Sequence, residues 1–137
     1  MILITDLEKQ ILERIDNMRD EIIKFHQEIV RIPSENPPSK YKEVAGFVER
    51  KMREIGLDTS IKRNNVIGVL GNGDGPSLIF NGHFDTVEAF KGWSKDPFGA
   101  EIVGDKIYGR GASDDKSSVT AEIFATQALL EAGVDLK

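Results

Sequence analysis

Ser77-Leu78-Ile79-Phe80-Asn81-Gly82-His83-Phe84-Asp85-Thr86-Val87 is the stretch on which the fold class turns. Leu78, Ile79 and Phe80 follow one another without alternation, as expected of a short strand covered on both faces. A His-x-Asp triplet comes directly after it. Upstream, Leu57, Thr59 and Ile61 alternate with polar residues. Asn64-Asn65 then turns the chain into Val66–Leu70, which reads as a strand pair. Gly71–Gly75 is a second turn. Downstream, Ala100–Val103 and Lys106–Tyr108 flank Gly104-Asp105, again a hairpin pattern.

Helices bracket these strands. Leu7, Ile11, Ile15, Met18, Ile22, Phe25 and Ile29 fall at steps of four and three. This predicts one long amphipathic helix, opened by a Thr5–Glu8 capping box and closed before Pro33. His26 lies beside that stripe and is expected to be a half-exposed residue without a role. Asn36-Pro37-Pro38 is a rigid turn into a second helix, with Asn36 or Ser39 as cap. Val44, Phe47, Val48, Met52 and Ile55 form its stripe, and Gly56 its C-terminal cap. A last helix runs from about Asp115 to Ala132 and stops at Gly133. Its Ala121, Ala125, Ala128 and Ala132 suit close packing against a sheet. Alternating helices and short strands predict an α/β protein, a layered sheet with packed helices.

Composition narrows the function classes. The chain has 137 residues, 18 Lys plus Arg against 23 Asp plus Glu, and no cysteine. No basic block stands out, so a nucleic-acid partner is not expected. A disulfide scaffold and thiolate chemistry are excluded, which suits a reducing cytosol. The opening apolar run Met1–Ile4 is too short for a signal peptide. No run of about 18 apolar residues exists to span a membrane.

Two stretches remain unusual: Gly82–Val87, and Gly109-Arg110-Gly111-Ala112-Ser113-Asp114-Asp115-Lys116 before the last helix. Both sit at element ends facing loops, where open α/β sheets place ligands. Neither is a nucleotide motif. No Gly-Lys-Ser/Thr follows Gly71–Gly75, and Asp114 occupies the third glycine position of a dinucleotide fingerprint. Read singly, His83 is a hydrogen-bonded loop histidine, Asp85 a turn residue, and Asp114 and Asp115 favour a helix start. Read together they suggest more. A ligating histidine is commonly held through its other nitrogen by a carboxylate, which Asp85 could supply. Asp114 has two oxygens and could bridge two cations about 3.5–4 Å apart.

These blocks, together with Trp93-Ser94-Lys95-Asp96-Pro97-Phe98 between them and Arg31-Ile32-Pro33-Ser34 upstream, resemble a known family. It is the zinc metallopeptidase family of acetylornithine deacetylase, succinyl-diaminopimelate desuccinylase, aminoacylase and glutamate carboxypeptidase. The resemblance runs from the first helix to the last. It implies that His83 and Asp114 are metal ligands, Asp114 bridging. It implies that Asp85 is the catalytic-site carboxylate orienting His83, that Lys116 is structural, and that the Asp114–Asp115 peptide is cis. Ser117 stands where the family has glycine, a local change of helix entry.

The family's Glu-Glu pair, further ligands and lid-and-dimerisation domain have no counterpart here. Residues 1–137 are therefore expected to form the N-terminal part of a catalytic domain, inactive alone. The implied activity is metal-dependent hydrolysis of amide bonds in N-acyl amino acids or short peptides by a cytoplasmic homo-oligomer. Zinc is implied by the resemblance, and cobalt or manganese would suit the same donors. A different class stays open, a non-catalytic remnant acting as a binding module. A Glu-Glu pair in a reading frame continuing past Lys137 would favour the enzyme, and a stop codon the module.

Overall fold

In a computed structural model the described residues are 5–71, 73 and 75–134. The expected apolar run Met1–Ile4 and positions 72 and 74 of the glycine-rich turn lie outside them. The elements in chain order are α1 (Asp6–Asn17), α2 (Arg19–Arg31), α3 (Lys42–Glu54), β1 (Asp58–Lys62), β2 (Asn65–Val69), β3 (Glu101–Val103), β4 (Lys106–Tyr108) and α4 (Lys116–Glu131). The mixed α/β class holds. The layered sheet does not, because the strands form two separate antiparallel hairpins, β1–β2 and β3–β4.

Locally encoded features appear where the residues put them. Thr5 accepts from the Glu8 amide at 3.2 Å, and the Glu8 carboxylate accepts from the Thr5 amide at 2.6 Å. Each bond satisfies a donor that the first turn would otherwise leave unpaired. Gly56 and Gly133 take positive φ just past α3 and α4, the left-handed conformation that ends helices. The β1–β2 turn is Arg63-Asn64, since Lys62 already faces Asn65.

Four expectations need correction. The single N-terminal helix is interrupted at Met18, although the Met18 amide still bonds to the Arg14 carbonyl at 3.0 Å. Both halves contact α4, but only α2 sends buried side chains into the core. Secondly, α3 starts at Lys42, with no side-chain cap. Ser39 instead closes the proline turn, its hydroxyl donating to the Asn36 side chain at 2.9 Å. Thirdly, Ser77–Phe80 is not a strand. Among the described residues no segment hydrogen-bonds to it, and Leu78 and Ile79 are 80% and 83% exposed. Strand geometry persists only where backbone donors and acceptors find a ladder. Finally, Ala121 is exposed, and α4 packs on helices through Val119, Ile123, Phe124 and Ala128.

The core joins three helices. Phe25 and Ile29 of α2 meet Val44 and Val48 of α3, with Ile123, Phe124 and Ala128 of α4. The Phe25 ring stacks on Phe47 at 4.9 Å and meets Phe124 edge-on at 5.5 Å, the offset and T-shaped geometries that aromatic quadrupoles favour.

The exit of α2 is the hub that positions the two motifs. Ser34, 1% exposed, donates its hydroxyl to the Phe84 carbonyl at 2.6 Å. The Thr86 amide donates to the Ser34 carbonyl at 2.9 Å, and the Asn36 amide to the Thr86 carbonyl at 2.8 Å. The His83–Thr86 segment is thereby laid alongside the helix exit. On the other side, the Lys116 ammonium is fully buried and donates to the carbonyls of Ile29 and Ile32, at 3.0 and 2.7 Å. A cation on the last carbonyls of a helix satisfies acceptors the helix leaves open.

Candidate metal centre

His83 directly precedes the residues that Ser34 holds, Phe84 and Thr86. Its Nδ1 lies 3.0 Å from the Asp85 carbonyl and 3.4 Å from Asp85 Oδ1. The other nitrogen, Nε2, lies 3.2 Å from Asp114 Oδ1. With Nδ1–H given to Asp85, a deprotonated Nε2 would offer its lone pair to a cation shared with Asp114. The structure thus brings His83, Asp85 and Asp114 together on one face. They line a cleft of about 310 Å³ together with Asn36, Arg110 and Ser113. The Asp114–Asp115 peptide is cis.

Electrostatics at this face is acidic. Burial alone would lower the His83 pKa. The Asp85 carbonyl and the charges of Asp85, Asp115 and Asp114 outweigh it and hold the ring above its ordinary value. Asp115 also accepts from the His83 amide at 3.2 Å. Its own pKa is lowered, first by the Ser118 hydroxyl and then by His83, against some burial. Glu122 on α4 is raised, by burial and by the Asp115 charge.

Donor chemistry and spacing both suit a divalent cation. Imidazole nitrogen and carboxylate oxygen are ligands for zinc, cobalt and manganese. Two donors each about 2.0–2.1 Å from one tetrahedral ion lie roughly 3.3 Å from each other. The Nε2–Oδ1 distance of 3.2 Å matches. Among the described residues no group of three His, Cys, Asp or Glu side chains is assembled to hold a metal, and His83 and Asp114 bring two such donors together.

The glycine-rich loop is shaped by close approach. Gly111 has φ +81°, and a Cβ there would stand 2.7 Å from Thr86 Cγ2 and 3.2 Å from the Lys116 side chain. A Cβ on Gly109 would strike Val30 Cγ1. Gly111→Ala therefore meets both a left-handed backbone and a methyl group with nowhere to go. It is expected to cost about 2 kcal/mol or more, read as a fall in the urea midpoint. An unchanged midpoint would mean that the loop is not held against Thr86.

Two residues at the site escaped the sequence reading. His26 is buried, not half-exposed. Its Nε2 lies 3.0 Å from the Ala112 carbonyl and its Nδ1 3.1 Å from the Thr120 hydroxyl. Those partners are 86 and 94 residues away, so no pattern within α2 announces them. Arg110 lines the cleft, stacks over Trp93 at 5.0 Å and donates to the Glu88 carbonyl at 3.1 Å. Its position beside Gly109 and Gly111 was the available signal.

Known proteins resemble this chain in sequence. Residues 79–137 match the profile described as Peptidase family M20/M25/M40. Through these residues the chain belongs to that family. A Pyrococcus abyssi protein with the provisional name LysW-lysine/LysW-ornithine hydrolase is 40% identical over 108 residues, 78% of this chain and 29% of that protein. The succinyl-diaminopimelate desuccinylase of Rhodospirillum centenum is 34% identical over 128 residues, 83% of this chain and 32% of the enzyme. That of Gluconobacter oxydans is 45% identical over 69 residues, 50% of this chain and 18% of the enzyme. The chain spans about a third or less of the length of these relatives. The M20 segment contains His83, Asp85 and Asp114, and the family is in general metal-dependent. No helix among the described residues is long and apolar enough to cross a membrane.

Proposed function

We propose that this chain is the N-terminal part of the catalytic domain of a zinc-dependent amidohydrolase acting on N-acyl amino acids or short peptides. The observation that carries the reading is the convergence of His83 Nε2 and Asp114 Oδ1 at 3.2 Å, with Asp85 behind the ring. Relatives named as desuccinylases and as a lysine/ornithine hydrolase support the substrate class. A bound divalent metal pair would supply a polarised amide carbonyl and an acidified water. The protein's own part is positional. Asp85 fixes the His83 ring and its tautomer, and the exposed Asp114 carboxylate has a second oxygen for a second ion. Cobalt or manganese would also fit these donors. A cytoplasmic location belongs to the same reading and is supported by the absence of cysteine. Self-association is supported by the exposed Leu78, Ile79 and Phe80.

The test compares the purified 137-residue chain with the product of the longest reading frame that contains it. N-succinyl and N-acetyl amino acids are the substrates, with and without a chelator. The longer product is expected to hydrolyse at least one of them, to lose activity with chelator and to regain it with zinc. The 137-residue chain is expected to show no turnover. Chelator-resistant hydrolysis, or full activity of the short chain, would contradict the reading.

A further inference from the structure

We infer that His26 is a positioning residue for Asp114, clamping the loop that carries this carboxylate to the N-terminal part of α4. The inference rests on the proposed metal site and adds a residue to it from a helix outside the matched family segment. Asp114 cannot be held by packing, because its side chain is 90% exposed. Its place is set by the backbone on either side. Ala112 lies two residues before it and Thr120 six after. One imidazole reaches both, at 3.0 Å to the Ala112 carbonyl and 3.1 Å to Thr120 Oγ1.

The chemistry of these contacts is directional. A carbonyl only accepts, so Nε2 must carry hydrogen. In the neutral ring Nδ1 then accepts, and the Thr120 hydroxyl is its donor. That hydroxyl also points its one hydrogen at the Lys116 carbonyl, 2.8 Å away, so the hydrogen is shared between this carbonyl and Nδ1 and ties the ring to the helix start. Burial lowers the His26 pKa first, the Ala112 carbonyl opposes this, and the Lys116 charge adds to it. The ring is thus kept in the neutral form that this pattern needs. A buried imidazole with both nitrogens engaged holds its partners in register. An apolar replacement would leave the Ala112 carbonyl without its donor.

The test uses His26→Phe, His26→Gln, and Ile29→Val as a control that loosens the same helix without touching the loop. Two properties are read on the full chain: Co(II) affinity from the visible absorption of the bound ion, and amide hydrogen exchange across residues 111–118. His26→Phe is expected to weaken Co(II) binding roughly tenfold, at the low end for residues that orient ligands indirectly. It should also speed exchange in that segment. His26→Gln, which keeps a donor and an acceptor, should recover most of both. Ile29→Val should leave both near the parent values. Equal Co(II) affinity and exchange in His26→Phe and parent, equal losses in Ile29→Val, or no recovery in His26→Gln would overturn the inference. If the parent chain binds no Co(II), the metal reading fails on that result, and segment exchange alone decides whether His26 positions the loop.

Discussion

Lys116→Met should lower the thermal midpoint by roughly 10 °C. The side chain is fully buried and its ammonium serves the Ile29 and Ile32 carbonyls. Methionine fills similar space but donates nothing, so the Ile32 carbonyl loses its donor and the Ile29 carbonyl keeps only the long bond from the Ile32 amide, at 3.3 Å. An abandoned buried acceptor costs about 1–3 kcal/mol. Part of this is offset, because the parent also holds a charge away from water. A net loss of about 2–4 kcal/mol is expected, and at this chain length that is roughly 10 °C. The pH dependence gives a second arm. Burial pushes the Lys116 pKa down from 10.5 to about 8. With the folded value below the unfolded one, the unfolded chain binds the extra proton between those values. Stability contributed by this residue therefore rises from about pH 8 to 10.5 and is flat below. Lys116→Met should lose that rise. A midpoint within 2 °C of the parent would show that the ammonium is not what ties α4 to the α2 exit.

That lysine marks how far the sequence could be read. Capping at Thr5 and Glu8, helix ends at Gly56 and Gly133, and the β3–β4 hairpin depend on residues a few positions apart, so pattern alone located them. The family blocks made His83, Asp85 and Asp114 legible as candidates. What linked them was not legible. Ser34 reaches Phe84 across 50 residues, and Lys116 reaches Ile29 across 87. Such bonds leave no periodicity. His26 was misread for the same reason, since an imidazole beside an apolar stripe looks alike whether it faces water or a carbonyl. Ser77–Phe80 failed differently. Its residues favour a strand, but a strand is a property of two segments, and among the described residues the second is missing.

Replacing either proposed ligand is expected to have the largest effect on metal affinity. His83→Ala removes the one nitrogen donor of the pair, and Asp114→Ala removes the carboxylate 3.2 Å from it. In a site with so few protein ligands neither loss can be shared out. Each variant should bind Zn(II) at least about 100-fold more weakly. Asp85→Ala should fall between these and the parent, at roughly 10- to 100-fold, because it unfixes the ring without removing a donor. Isothermal titration at constant pH measures all four proteins. Equal affinity in His83→Ala and parent would place bound zinc elsewhere.

The most direct test is the zinc K-edge X-ray absorption spectrum of the loaded protein, parent beside His83→Ala. The parent should show nitrogen and oxygen neighbours at about 2.0–2.1 Å, with the outer-shell pattern of one or more imidazole rings. That imidazole contribution should shrink or vanish in His83→Ala. A parent spectrum without imidazole, or one that His83→Ala leaves unchanged, would contradict the assignment of His83 and Asp114 as the metal-holding pair.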